Sequence, residues 1–176
     1  MEDKVTLERI AQLHPSLRQE VEYIYRAQIV PALSGKAICR FAYTLRTFAE
    51  QDALYAQGRT KLFDANGKRL GVVTKAKGGQ SIHNYGLALD IVLLKDADNN
   101  GTFETATWED TIDFDKDGKA DWMEVVEIFK RNGWEWGGDW KFKDKPHFQK
   151  SKLTWQQLLE KYNKKDFIPG TTYVNL

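Results

Sequence analysis

Leu87-Ala88-Leu89-Asp90-Ile91-Val92-Leu93-Leu94 is an apolar run interrupted by a single charge. Its length and its Ile and Val content predict a strand buried on both faces, at the centre of a sheet. A carboxylate inside such a strand is costly unless it is paired or bound to a metal, so Asp90 is at once the anomaly of the core and the first candidate functional residue. Working outward, Ala37 to Thr44 alternates as a second strand, and Trp134–Trp136 and His147–Gln149 are short strand candidates. Helical spacing appears after Pro15 (Leu17, Val21, Ile24, ending at Pro31) and after Asp121 (Trp122, Val125, Val126, Phe129, ending at Gly133). Thr47 with Glu50 and Thr154 with Gln157 read as capping boxes for two more helices, the first ending near Gly58, the second carrying Trp155, Leu158, Leu159 and Tyr162. The expected fold class is α+β: a small, mainly antiparallel sheet flanked by helices.

The 176 residues suit one domain, 1–176, with 41% hydrophobic and 29% charged residues as in ordinary soluble globular proteins. A net charge of +1 gives no electrostatic footprint for nucleic acid. Cys39 is the only cysteine and reads as a small core residue, so no internal disulfide is expected. The N-terminus lacks the basic flank and apolar run of a signal peptide, and no stretch approaches the roughly 20 apolar residues of a membrane span. A soluble monomer is expected. Residues 58–79 are polar and basic, with Asn66-Gly67 as a turn, and read as a rim or flap. Residues 95–121 are rich in Asp, Asn, Gly and Thr and read as loop. His14, before Pro15, reads as a local structural residue at a helix entrance.

Two segments can supply Asp90 with partners. His83 precedes it by seven residues, with Gly86 between them to turn the chain; Asp144-Lys145-Pro146-His147-Phe148 lies downstream. Two imidazoles and one carboxylate form a nitrogen/oxygen set suited to zinc with an open position for water, and Asp144 is the candidate base beside it. Spacing alone leaves a bland alternative equally open, in which Asp90 is ion-paired and both histidines lie at the surface.

The pattern Ser81-x-His83-x-x-Gly86-x-Ala88-x-Asp90, followed by Asp144-x-Pro146-His147-Phe148, resembles the cell-wall zinc metallopeptidases, a family of D-alanyl-D-alanine carboxypeptidases and the L-alanyl-D-glutamate endopeptidases of phage lysins. Arg46-Thr47-x-x-x-Gln51 and Trp136-Gly137-Gly138 resemble further family segments, in the same order along the chain. The resemblance implies zinc ligands His83, Asp90 and His147, a general base Asp144, and Arg46 binding the scissile carbonyl oxygen or a substrate carboxylate. It further implies a peptidoglycan stem peptide as substrate and action at the cell wall. Gln51, Ser81 and Asp139 are weaker candidates for substrate or supporting contacts. The sequence has Leu45 where the family often places an aromatic residue before the arginine. An endopeptidase is favoured; a D,D-carboxypeptidase and a non-catalytic, calcium-binding cell-wall module are the rivals.

Within 95–121 and just beyond it, Asp113, Asp115, Asp117, Lys119, Asp121 and Glu124 occupy positions one, three, five, seven, nine and twelve of a calcium loop, with Gly118 at six. Lys119 would offer its backbone carbonyl. Asp96, Asp98, Asn100, Gly101 and Glu104 begin a second such pattern, which has Thr107 at its twelfth position.

Overall fold

The computed structural model describes all 176 residues and has the expected α+β architecture. Five helices, α1 (Lys4–Ile10), α2 (Pro15–Tyr23), α3 (Phe48–Ala56), α4 (Asp121–Arg131) and α5 (Trp155–Asn163), surround a five-stranded sheet. Its strands are β1 (Ile38–Tyr43), β2 (Ala88–Lys95), β3 (Thr105–Thr107), β4 (Glu135–Trp136) and β5 (His147–Gln149). The order is β1-β2-β5-β4 with β3 also paired to β2, and every pairing is antiparallel.

β2 is the central strand, and its two faces differ. Leu87, Leu89, Ile91 and Leu93 enter the main core with Phe41, Trp122, Phe129 and Phe148. Val92 and Leu94 join Ile38 in a smaller cluster on the other face. Because successive side chains alternate, Asp90 belongs to that second face. Cys39 is buried in the main core, as its alternating context implied.

Three details depart from the sequence reading. The stretch 95–121 is not loop throughout: β5 pairs only with Ala88–Asp90, and β3 takes the ladder positions opposite Leu93–Lys95. That satisfies backbone groups of β2 that would otherwise stay open. The helix from Pro15 does not stop at Pro31. It continues through a π-helical segment, Ile24–Ile29, into a last turn, Val30–Ala32, that contains the proline. An additional helix, α1, precedes it, capped by Asp3, whose carboxylate accepts from Thr6 N at 2.9 Å.

The expected caps of α3 and α5 are both present as reciprocal capping boxes. His14 caps α2 and binds the carbonyl of Val174 at 2.9 Å, a local structural role in a buried position. No helix is long and apolar enough to cross a membrane.

Phe129 joins α4 to the sheet, its ring 4.7 Å from Phe148, 5.4 Å from Trp134 and 6.1 Å from Phe41. Phe129→Ala removes a fully buried ring at this junction and is expected to cost about 3–5 kcal/mol, read as a lowered urea midpoint with an unchanged m-value.

Candidate metal centre and catalytic cleft

A cleft of about 750 Å³ opens beside the N-terminal end of β2 and is lined by Arg46, His83, Asp90, Asp144 and His147, among others. Register explains the meeting. Asp90 pairs directly with His147 across β2 and β5, while Phe148 alternates into the main core. His83 arrives on a short 3-10 turn, Ile82–Tyr85, closed by Gly86 at φ +69°. A side chain at Gly86 would sit 2.7 Å from the backbone nitrogen of His14, so both the turn and the close approach require glycine.

The three candidate ligand atoms form a nearly equilateral triangle. His83 Nε2 lies 3.1 Å from Asp90 Oδ1 and 3.1 Å from His147 Nδ1, and His147 Nδ1 lies 3.2 Å from Asp90 Oδ1. Both histidines are buried, which removes the alternative that placed them at the surface.

The outer hydrogen bonds decide what each atom presents. His83 Nδ1 faces the carbonyl of Thr44 at 2.7 Å, so that nitrogen carries the proton and Nε2 offers a lone pair. Gln149 Nε2 donates to Glu135 at 2.9 Å, which turns its Oε1 toward His147 Nε2 at 3.1 Å. His147 therefore carries its proton on Nε2 and offers a lone pair from Nδ1. Two nitrogen lone pairs and a carboxylate oxygen then converge, and one proton could bridge only one side of the triangle. A cation satisfies all three. Zinc bonds of about 2.0–2.1 Å in a tetrahedron place ligand atoms roughly 3.3–3.4 Å apart, close to the spacing found. Burial opposes ionisation of Asp90, and positive charge on the histidine side of the triangle, from a proton or a bound cation, is what holds its carboxyl far below the usual carboxylate range.

Arg46 leaves β1 toward the same site. Its guanidinium donates to Gln51 Oε1 at 3.0 Å and reaches Asp90 Oδ2 at 3.5 Å, so the two Asp90 oxygens face different partners. The ring of Tyr43 lies 5.4 Å from this guanidinium. Gln51 is buried and fastens Arg46 to the rim by donating to the carbonyl of Ala76 at 2.8 Å. Ser81 lines the cleft, and its backbone N donates to Asn84 Oδ1 at 3.3 Å at the His83 turn. Asp139 is not brought there: it pairs with Lys130 at 2.7 Å, outside the cleft lining.

Asp144 lines the cleft and is held by its backbone, accepting from His147 N at 3.1 Å and donating to Gly137 O at 2.9 Å. A Cβ at Gly137 would lie 2.4 Å from the Asp144 carbonyl oxygen, which accounts for the glycine in the Trp-Gly-Gly segment. Desolvation raises the Asp144 pKa, with Asp90 adding to the effect. Sequence reasoning missed Thr44, Gln149 and Glu135. Gln149 was reachable, since it lies two residues from His147 on one strand face; the Thr44 carbonyl carries no side-chain signal.

The acidic loops share one backbone form. Lys116 and Gly118 have φ of 63° and 97°, Asn99 and Gly101 have 59° and 89°. Gly118 N donates to Asp113 Oδ2 at 2.9 Å, and Gly101 N to Asp96 Oδ2 at 2.8 Å. Ligand atoms of Asp113, Asp115 and Asp121, and of Asp115, Asp117 and Glu124, lie within 4.8 Å of one another. Asp121 is fully buried; its Oδ2 accepts from Phe114 N at 2.6 Å, while its Oδ1 and the buried Oε2 of Glu124 have no partner. Burial and the neighbouring aspartates push the Glu124 pKa up to about 7. Lys119 points its amine toward Glu127, at 4.0 Å. In the first loop Asp96, Asp98 and Glu104 also gather within 4.8 Å, but no buried oxygen there lacks a partner, and Thr107, at the twelfth position, is in β3.

Residues 74–150 match the family model described as D-alanyl-D-alanine carboxypeptidase. Over 138 residues the chain is 43% identical to the peptidoglycan L-alanyl-D-glutamate endopeptidase CwlK of Bacillus subtilis (strain 168), an alignment covering 78% of this chain and 72% of that protein. The matched region contains the whole triangle and Asp144, and the chain belongs to the family of cell-wall zinc peptidases that spans D-alanyl-D-alanine carboxypeptidases and L-alanyl-D-glutamate endopeptidases.

Proposed function

We propose that this protein is a zinc-dependent peptidoglycan endopeptidase that hydrolyses the bond between L-alanine and D-glutamate of the stem peptide at the cell wall. The observation that carries the chemistry is the triangle of converging lone pairs beside Asp144 and Arg46. The choice of bond follows the 43% identical relative. His83, Asp90 and His147 would hold zinc. When bound, the metal supplies Lewis acidity that polarises a carbonyl and makes water nucleophilic near neutral pH.

The chain's own residues do the rest. Thr44 and Gln149 hold the two histidines in the tautomers that face inward. Asp144, which no other side chain engages, takes a proton from water and returns it to the departing amine of D-glutamate. Arg46, already fixed by Gln51 and Asp90, donates to the carbonyl oxygen as negative charge builds on it. The triangle, Asp144 and Arg46 all come from one chain, so the proposed site needs no residue of a second subunit.

A second ion belongs to this reading. Calcium in the loop Asp113–Glu124 would take Asp113, Asp115, Asp117, Asp121, Glu124 and the Lys119 carbonyl. The unpartnered, buried oxygens of Asp121 and Glu124, aimed into the cluster, are the observation that favours it. Oxygen ligands at about 2.3–2.6 Å from one ion lie at most roughly 5 Å apart, and the two triads that share Asp115, with Asp113 and Asp121 and with Asp117 and Glu124, each meet that limit.

Digestion of purified peptidoglycan tests the bond. Mass spectrometry of the products should show new D-glutamate amino termini; release of D-alanine alone would make the enzyme a carboxypeptidase. Metal analysis should find about one zinc per chain, falling to background in His147→Ala. Asp144→Asn should keep its zinc and lose turnover by at least about 100-fold. Millimolar calcium should raise the melting temperature of the zinc-loaded protein. Asp113→Ala combined with Glu124→Gln should abolish that rise without loss of zinc, and no shift in the unmodified protein would leave the loop an acidic turn.

A further inference from the structure

Most charges lining the cleft are already committed. Asp90 faces both histidines and Arg46, Arg46 is engaged by Gln51 and Asp90, and Glu135 accepts from Gln149. Asp144 is the general base of the proposed reaction. The remaining charged group in the lining is Lys152, which is exposed and makes neither an ion pair nor a side-chain hydrogen bond.

Its backbone is fixed although its side chain is free. Lys152 sits five residues after His147, in the turn between β5 and α5. Ser151 Oγ accepts from Leu153 N at 3.1 Å and donates to Leu153 O at 2.6 Å, and the Thr154 capping box follows at once. β1 and β5 both run antiparallel to β2, on either side of it near Asp90, so the segments carrying Arg46 and Lys152 leave the sheet at the same end. Both cations line the cleft that holds the triangle.

In a stem peptide the D-glutamate is joined onward through its side-chain carboxyl. Its α-carboxylate is left free, one carbon from the nitrogen of the bond to be cut. We propose that Lys152 is the specificity residue that binds this α-carboxylate, while Arg46 serves the carbonyl on the other side of the bond. The inference rests on the endopeptidase reading and adds to it the feature of the substrate that is recognised. An ammonium on a flexible stem suits this task, since it needs no fixed planar geometry. The wall chemistry favoured is accordingly one whose D-glutamate keeps its free acid.

The experiment compares two synthetic stem peptides that differ only at this group, the α-carboxylate and its α-amide, with the zinc-loaded enzyme. The unmodified protein should prefer the acid by roughly 10-fold in kcat/KM, the size of one charge-assisted contact, with the difference in KM. Lys152→Ala should bring the ratio of acid to amide close to one with zinc content unaltered, and Lys152→Arg should keep the preference. An unchanged ratio in Lys152→Ala, or equal preference in the unmodified protein, overturns the assignment of Lys152 while leaving the endopeptidase reading intact. Failure of the unmodified enzyme to cut either peptide between L-alanine and D-glutamate overturns that reading and the role of Lys152 together.

Discussion

The direct pairing of Asp90 with His147 across β2 and β5 is the constraint on which the rest of the site depends. A one-residue slip of β5 would turn Phe148 toward the cleft and His147 into the core, exchanging the two environments. Phe148 is fully buried against Phe129, so the main core enforces the register that the candidate metal centre requires. The hydrophobic packing thus acts on function through geometry: it selects which face of a three-residue strand meets Asp90. The outer shell depends on the same register. Gln149 shares the cleft face with His147 and is paired across to Glu135, which turns its amide the right way round.

Helix α4 links the two acidic features of the chain. Its first turn contains Asp121 and Glu124, whose unpartnered oxygens lie in the 113–124 loop. Its last turn carries Lys130 and Arg131, favourable near the C-terminal end of the helix dipole, and Lys130 reaches Asp139 beside the Trp-Gly-Gly turn. β4 and Gly137 follow, and Gly137 is in backbone contact with Asp144. Placing two buried carboxylates at the start of a helix is favourable for the dipole but costly for desolvation. Burial together with the charges of Asp117, Asp115 and Asp121 raises the Glu124 pKa.

Much of this was legible in the sequence because each residue involved breaks a local pattern. Asp90 interrupts an apolar run, Gly86 and Gly137 stand where close approach forbids a Cβ, and Thr47 and Thr154 announce helix starts. The fold class, the main helices and the four principal strands follow from periodicity of that kind. What stayed hidden depends on tertiary placement. β3 exists because β5 is too short to cover β2, a fact about another strand. Asp139 looked functional from its neighbours in the chain, whereas its side chain turns to α4. Thr44 contributes a carbonyl, which every residue has, so nothing in its identity marks it.

In the proposed function, a metal on the triangle would take part in substrate attraction as well as in chemistry. The lining holds two cations, Arg46 and Lys152, against three carboxylates, Asp90, Glu135 and Asp144. Histidines aside, carboxylates outnumber cations there, which disfavours an anionic ligand. A divalent cation on the triangle reverses that sign, and in a cleft with low-dielectric walls such a reversal is felt along the approach path. In the proposed reaction, the residues that would hold zinc would therefore also govern how strongly the cleft attracts an anionic substrate.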